Sequence, residues 1–363
     1  FGEVRTRLSL AVPPVEGLSL PAIYLRAFDP EPIDDPKLAV AHQAAAARLR
    51  GRIESRRGAH TIVEADPGGG RTSFLNTLER SVKSRRVVRI DAAFHPRDEG
   101  LIGALSSELG CADYALAVSQ SLAGQPTLAL IDDLGHHIMP TPEGMYELEE
   151  FLRVVVDTGH AVTWVVTSEP GHVEVLAELA PLLGVFTERE RLPPLDADTL
   201  EEVVEARIRL TGVSVRFPRR GLLGRREVRT RRGRKRYFEQ LADLSQGNLR
   251  AALSAHLRSV RPEPGGGLSV HRPEHPGPID FSRLDARTVA CLGMVARLGP
   301  FDERELASNL LVDVEVVRRH VVALTQSGLL ERDGGRILRI PPASQQPILA
   351  GLREIGLLNG ASR

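Results

Sequence analysis

Apolar residues fall into two regimes along this chain. Between Thr61 and Val166, short apolar runs alternate with segments of helical period; from Asp198 onward helical periodicity takes over. The runs Thr61–Glu64, Val87–Ile90, Leu128–Ile131 and Ala161–Val166 are rich in β-branched residues and predict strands. Helices are predicted between or after them at Thr72–Val82, Leu101–Leu109, Tyr146–Asp157 and His172–Leu183. Continuous apolar strands alternating with helices predict an α/β fold with a parallel sheet covered on both faces. Upstream, the alanine run Ala44–Ala47 with Leu49 and Ile53 predicts a helix over Lys37–Arg57, closed by Gly58. Residues 1–35 are proline-rich and irregular, with a strand suggested around Thr6–Val12.

In the second regime, Thr199–Leu210, Tyr237–Leu244 and Leu249–Arg258 predict helices. The arginine-rich stretch between the first two, with glycines at 221, 224 and 233, reads as an exposed loop or frayed insertion. Pro262–Gly267 and Pro273–Pro278 read as a linker. A compact module follows. It comprises helices at Leu284–Arg297, Asp302–Leu310 (with Asp302 and Glu305 close to a capping box) and Asp313–Ser327, then a hairpin through Gly334-Gly335. Three helices and a hairpin predict a winged helix. The expected organisation is an irregular segment 1–35, a core 36–195, a helical lid 196–260, a linker 261–279 and a winged-helix domain 280–363.

Composition changes this picture little. A chain of 363 residues exceeds one ordinary core, and 42% hydrophobic with 26% charged residues is the make-up of a soluble globular protein. Cys111 and Cys291 are too few for a disulfide framework and show no metal spacing, so a reducing, cytoplasmic setting is expected. No apolar run reaches the ~18 residues of a membrane span. Membrane association is therefore expected only if residues preceding Phe1 supply it.

Charge changes it more. Lys+Arg and Asp+Glu both count 47, yet eleven basic residues and one acid, Glu227, lie between Arg216 and Arg236. The remainder carries 36 basic against 46 acidic residues. Arg219, Arg220, Arg225, Arg226, Arg231, Arg232, Arg234 and Arg236 are the candidate polyanion contacts of this stretch. The alternative is a solvated loop. Basic residues are almost all arginine, with lysine only at 37, 83 and 235.

The chemistry concentrates where the first predicted strand meets the first predicted helix of the alternating region. Ala65-Asp66-Pro67-Gly68-Gly69-Gly70-Arg71-Thr72-Ser73 follows strand Thr61–Glu64. Successive glycines let backbone N–H groups turn inward on a phosphate at a helix N-terminus, whose dipole favours anions. Pro67 through Ser73 are the candidate nucleotide-binding residues, and Thr72 is placed for Mg²⁺. Against the pattern G-x-x-x-x-G-K-[ST], Ala65 replaces the first glycine and Arg71 the lysine. Guanidinium is larger and planar where the loop takes a compact point charge. A plain turn is the competing reading.

A partner motif, Leu128-Ala129-Leu130-Ile131-Asp132-Asp133, puts two acids at a strand's C-terminal end, where α/β sheets place ligands. Asp132 is the candidate Mg²⁺ residue, and Asp133 the candidate for orienting an attacking water. In Val165-Val166-Thr167-Ser168-Glu169, Thr167 or Ser168 ends the next strand and could touch a phosphate or the water; capping the helix at His172 competes. Arg189 and Arg191 could reach a neighbouring subunit's nucleotide as arginine fingers or be solvated. In Leu244–Arg250, Arg250 follows a Gly-Asn turn on a helix's first turn and could fold onto phosphates; helix capping competes.

Together these residues resemble the AAA+ superfamily of P-loop ATPases, over roughly residues 37–345. The resemblance reads Ala65–Ser73 as a degenerate Walker A, Leu128–Asp133 as Walker B, the region of Thr167 as sensor 1 and Gly247-Asn248-Leu249-Arg250 as sensor 2. The order of core, lid and winged helix is similar to the origin-recognition and replication-initiator group, and to bacterial secretion-helper and transposition-helper ATPases. Asp133 stands where a glutamate is usual, as in STAND signalling ATPases. The resemblance implies bound ATP or ADP with Mg²⁺, catalytic roles for Asp133, Thr167 and Arg250, and a homo-oligomer or protein partner. Arg71 and Asp133 shift the expectation toward slow or absent hydrolysis. Three readings follow: a nucleotide-dependent switch; a DNA-binding regulator or loader using the winged helix and the arginine stretch; and a nucleotide-free scaffold.

Overall fold

The computed structural model describes residues 20–29, 35–38, 40–55, 60–91, 99–138, 141–217, 226–274, 279–333 and 337–358. The strand suggested around Thr6–Val12, Gly58, Arg219, Arg220, Arg225 and the Gly334–Arg336 turn lie outside them. The chain divides into two compact units, residues 32–193, and residues 194–363 together with 1–31. The first described helix, α1 (Ala22–Ala27), belongs to the latter unit.

Residues 32–193 hold α2 (Gln43–Glu54), β1 (Thr61–Glu64), α3 (Arg71–Ser81), β2 (Arg86–Ile90), α4 (Gly100–Leu109), α5 (Ala115–Leu122), β3 (Thr127–Ile131), a short α6 (Leu134–His137), α7 (Pro142–Thr158), β4 (Val162–Ser168), α8 (Pro170–Leu179) and β5 (Glu188–Arg191). The five strands are parallel in the order β2-β3-β4-β1-β5. The fold class is α/β, as the alternation predicts.

Strand periodicity explains the continuous apolar runs. Side chains alternate faces along a strand, so Leu128, Leu130 and Val165 pack with Ala45, Leu49, Phe74 and Leu78 of α2 and α3. Ala129, Ile131, Trp164 and Val166 pack with Leu101, Leu105, Leu148, Phe151 and Val173 on the opposite face. Both faces are dry, and β3 and β4 are buried at every position. Trp164 satisfies its indole N–H on Thr158 Oγ1 at 3.1 Å.

Three elements depart from the sequence reading. The helix expected from Lys37 starts at Gln43, because His42 before it is left-handed at φ 60°; Pro36–Leu38 forms only a 3-10 turn. The eight-residue α5 was not anticipated. Nor was β5, whose sequence Glu-Arg-Glu-Arg has no apolar alternation. It is a charged edge strand. Glu188 and Glu190 pair with Arg52 of α2, and Glu190 also with Arg48, while Arg189 and Arg191 are exposed.

The other unit continues with α9 (Ala197–Thr211), β6 (Val215–Arg216), α10 (Arg226–Ser245), α11 (Leu249–Ser259), β7 (Val260–Pro262) and β8 (Leu268–Val270). Half of the arginine-rich stretch, expected as a loop, is thus the start of the long helix α10. Its register is set by Tyr237, Phe238 and Leu241, which are buried. The Pro262–Gly267 stretch, expected as linker, is the turn of the antiparallel β7–β8 pair, and β6 lies parallel to β8. Then come α12 (Ala286–Leu298), α13 (Glu303–Leu310), α14 (Val314–Gln326), the antiparallel pair β9 (Glu331–Asp333) and β10 (Ile337–Arg339), and an unanticipated α15 (Gln345–Glu354). Asp302 and Glu305 form the capping box of α13.

Residues 20–29 are less irregular than their sequence suggests. Arg207 of α9 donates to the carbonyls of Ala27 and Asp29, and Tyr24 and Phe28 are fully buried. They meet His256 of α11. Ser259 Oγ donates to the His256 carbonyl, so it accepts from the Tyr237 hydroxyl. Tyr237 then accepts from His256 Nδ1–H, and Nε2 accepts from the Tyr24 hydroxyl, both at 2.8 Å. A neutral imidazole satisfies every partner. Burial pushes the His256 pKa down to about 3.

The folded value lies below the unfolded one, so the unfolded chain takes up the proton first. Stability from His256 is complete above about pH 6.5 and falls toward pH 3, by at most ~1.4 kcal/mol per pH unit. Urea unfolding between pH 7 and pH 4 is expected to show this one-proton dependence, and His256→Asn to lose it.

Candidate functional site

Parallel strands put all their C-terminal ends on one edge, so the segments after β1, β3 and β4 converge there. Residues 65–70 turn sharply. Gly68 and Gly70 are left-handed at φ 76° and 94°. Gly69 donates to the Asp66 carbonyl at 2.8 Å, and a Cβ on it would lie 2.9 Å from that oxygen. Arg71 opens α3, so Arg71, Thr72 and Ser73 occupy its first turn.

The structure brings Thr72, Asp132 and Thr167 together. Thr72 Oγ1 donates to Asp132 Oδ2 at 2.7 Å, and Thr167 Oγ1 donates to Oδ1 at 2.8 Å. Thr167 Oγ1 in turn accepts the Asp133 backbone N–H at 2.8 Å. Ser168, the alternative to Thr167, faces away and bonds His172 Nδ1 at 3.2 Å. Helix α8 begins at Pro170, so His172 is inside it rather than at its cap. Burial raises the Asp132 carboxyl pKa, the Thr72 hydroxyl opposes this, and Asp91 and Asp133 add to the rise.

Arg71 stretches from the helix start toward two acids. Nη1 and Nη2 reach Asp133 Oδ1 and Oδ2, both at 3.4 Å, and Nη2 reaches Glu169 Oε1 at 3.3 Å. Burial works against the guanidinium charge, but Asp133, Glu169 and Asp132 together raise its pKa. Asp133 is left-handed at φ 55°, a conformation that aspartate tolerates better than most residues. Glu169, one residue beyond β4, is 5% exposed, and its Oε2 has no hydrogen-bond partner. Burial pushes its carboxyl up to about 8, Arg71 pulling down, Asp133 and Asp66 pushing up. The next cation along the edge, Arg89, is engaged by Asn76, Glu79 and Asp91.

Two residues here were given no role by sequence. Glu169 had a readable signal: a buried arginine in place of lysine needs counter-charge, and an acid follows the apolar strand. His42 had none. Its Nε2–H donates to the Gly69 carbonyl at 2.8 Å across the interval from α2 to the loop. Burial lowers its pKa, the bond to Gly69 opposing, which keeps the ring neutral.

The oxygen donors Thr72 Oγ1 and Asp132 Oδ2 suit a hard cation such as Mg²⁺, which takes few protein ligands and completes its shell with water and phosphate. No group of three or more His, Cys, Asp or Glu placed to hold a metal ion exists among the described residues.

The other candidates are held by contacts of their own. Arg189 lies 4.0 Å from Glu64 on the neighbouring strand and is half exposed. Arg250 is in the other unit, on the first turn of α11, whose cap is the Asn248 side chain accepting from Ala251 N–H. Gly247, at φ 70°, leaves no room for a Cβ, which would meet Leu195 N at 2.6 Å. On α10, Arg234 turns inward onto Glu201, Glu205 and the Phe217 ring. Arg231, Arg232, Lys235 and Arg236 are exposed. In the C-terminal module Arg318 and Arg332 both pair with Glu303, and Arg339 with Glu331.

Fold and site together define an α/β protein with a glycine turn entering a helix at the C-terminal edge of a parallel sheet. No protein-family model matches the chain. No curated relative matches it either. Among solved structures, the Aeropyrum pernix ORC2 protein in its ADPNP–ADP complexes is similar at 16% identity and a TM-score of 0.49, over 91% of this chain and 98% of that one. Cdc6p from Pyrobaculum aerophilum is similar at 15% identity and a TM-score of 0.46, over 91% and 98%. The Thermotoga maritima RuvB Holliday junction branch migration motor is similar at 16% and 0.37, over 83% and 92%. At these scores the likenesses add nothing to what the residues themselves support.

The Thr167 hydroxyl joins the buried Asp132 carboxylate to the part-buried Asp133 backbone N–H. Thr167→Val keeps its shape and strands both Asp132 Oδ1 and the Asp133 N–H. Equilibrium unfolding is expected to show a loss of about 2–3 kcal/mol, with Thr167→Ser recovering most of it.

Proposed function

We propose that this chain is a nucleotide-binding protein of the AAA+ type. It holds ATP or ADP with Mg²⁺ on residues 67–73 and acts as a switch in assembly with copies of itself or a protein partner. The observation that carries this reading is the left-handed Gly68 and Gly70 leading into α3, with the Thr72–Asp132–Thr167 chain behind them. The backbone N–H groups at the start of α3 would take phosphate oxygens. Thr72 and Asp132 would hold the cation, whose chemistry is to neutralise charge on the phosphates. Thr167 fixes the Asp132 carboxylate and the Asp133 backbone. Cytoplasmic placement and a winged-helix reading of residues 280–358 belong to this proposal, the latter supported by three helices followed by an antiparallel pair.

Slow or absent hydrolysis follows from Arg71. Its guanidinium engages both oxygens of the carboxylate that would orient a water. The roles of Arg250 as a lid arginine and of Arg189 or Arg191 as a finger are part of the same proposal.

A second reading is favoured by α10. Its exposed face carries Arg231, Arg232, Lys235 and Arg236 with no acid partner among the described residues, and no exposed apolar residue stands beside them between positions 231 and 238. A purely charged face suits a phosphate backbone better than a lipid surface, which also takes apolar side chains. By contrast, Arg318, Arg332 and Arg339 of the C-terminal module are tied to acids. DNA contact, if made, is thus expected on α10 before the winged helix.

Calorimetric titration with ADP and Mg²⁺ is expected to give one site per chain, lost on Thr72→Ala with Gly70→Val; a parent that binds no nucleotide refutes the first reading. Turnover is expected to remain slow, and rapid hydrolysis abolished by Asp133→Asn would contradict the idle site.

For the second reading, charge reversal at Arg231, Arg232, Lys235 and Arg236 is expected to abolish a gel shift on duplex DNA. Parent binding should weaken steeply with salt, by about 0.9 log units per contacted phosphate per log unit of salt. DNA binding unchanged by the reversal removes α10 as the contact.

A further inference from the structure

We propose that Glu169 is a counter-ion that nucleotide phosphate must displace from Arg71, and that it thereby sets how strongly the site prefers nucleoside di- and triphosphates over monophosphates. The inference rests on the reading of residues 67–73 as a nucleotide site and adds a specificity-determining residue to it.

Three observations lead there. The backbone of Glu169 is fixed by its strand: β4 is paired on both sides, to β1 and to β3, and Ser168 is in register with Glu64. Its carboxylate therefore stands between the loop that follows β1 and the acids that follow β3. Second, the carboxylate is only half used. Oε1 takes Arg71 while Oε2 is buried with no hydrogen-bond partner. Third, the three hydrogen bonds that hold the Arg71 guanidinium measure 3.3–3.4 Å, the long end of the range. Charge rather than tight geometry holds it there. Phosphate offers the same fork shorter, charge-assisted bonds.

The charge balance gives the direction. Arg71 is shared between Asp133 and Glu169, so an incoming phosphate must draw it from two acids, which repel the phosphate when they are ionised. Asp133 is the smaller obstacle, because it is the more exposed, with 22% of its side chain accessible against 6% for Glu169. A lysine at position 71 would present a single point charge. The longer, forked arginine spans both acids at once, and Glu169 completes that span. The outer phosphates are the ones the residue at position 71 would meet. AMP lacks them, so releasing Arg71 changes nothing for it.

The test is calorimetric titration of the full chain with AMP, ADP and ATP at fixed Mg²⁺ and pH 9, above the Glu169 value of about 8, in the parent, Glu169→Gln, Glu169→Ala and Arg71→Ala with and without Glu169→Gln. Removing the acid is expected to tighten ADP and ATP about tenfold, with AMP unchanged. The gain should vanish in the Arg71→Ala background, since the two residues act through one contact. A merely structural role would move all three nucleotides together, or none, and either result overturns the proposal while parent binding keeps the nucleotide reading. Glu169→Ala gives the same readout if Glu169→Gln does not fold. If neither the parent nor the variants bind any of the three, the nucleotide reading fails and this proposal with it.

Discussion

The Asp132 carboxylate is the joint on which the sheet edge depends. It accepts hydroxyls from Thr72 on α3 and Thr167 on β4, and so ties the helix after β1 to the ends of the two neighbouring strands. A buried carboxylate is costly unless every lone pair is served. Two threonines serve it here, and one of them also takes the Asp133 N–H. The same oxygens are those a divalent cation would take up. Stability and chemistry thus draw on one set of atoms.

Around that joint the electrostatics are lopsided. Arg71 is the cation that faces the glycine turn, and it is shared between Asp133 and Glu169 rather than left open. This arrangement gives the guanidinium two acid partners. It also separates two properties that a lysine at that position keeps together: positive charge remains at the loop, but its availability is conditional on the acids. On the function proposed above, such a site would hold and release a phosphate group rather than turn it over rapidly. His42 adds a mechanical element, since its bond to the Gly69 carbonyl couples the turn to α2.

The second unit is organised by a different buried group. His256 is neutral, bonded on both ring nitrogens, and brings together Tyr24 near the chain start and Tyr237 of α10. It explains why a proline-rich N-terminal region contains an ordered helix, and why α10 has a fixed register despite its arginines. Tyr237 and Phe238 bury one side of that helix. Arg234 closes the flank onto Glu201 and Glu205. Arg231, Arg232, Lys235 and Arg236 are left on the outer face by helical geometry.

Much of the first unit was legible in the sequence. Four of its five strands could be read from apolar runs, because burial on both faces fills most positions of β3 and β4 with apolar residues and β1 and β2 keep a short apolar run each. The glycine turn was legible as well, since only glycine adopts φ 76° and 94° without strain. The capping box at Asp302 and the β9–β10 pair were readable for similarly local reasons. What tertiary structure decided was long-range and charged. β5 is a strand because β1 offers an open edge and α2 offers arginines for its glutamates, and no local pattern encodes either. α10 is helical through its arginines because residues further along anchor it. Thr167 rather than Ser168 faces Asp132, and Glu169 meets Arg71, because parallel pairing aligns segments far apart in the chain. Local rules set which residues can form an element; which acid faces which cation is fixed only when the strands are laid side by side.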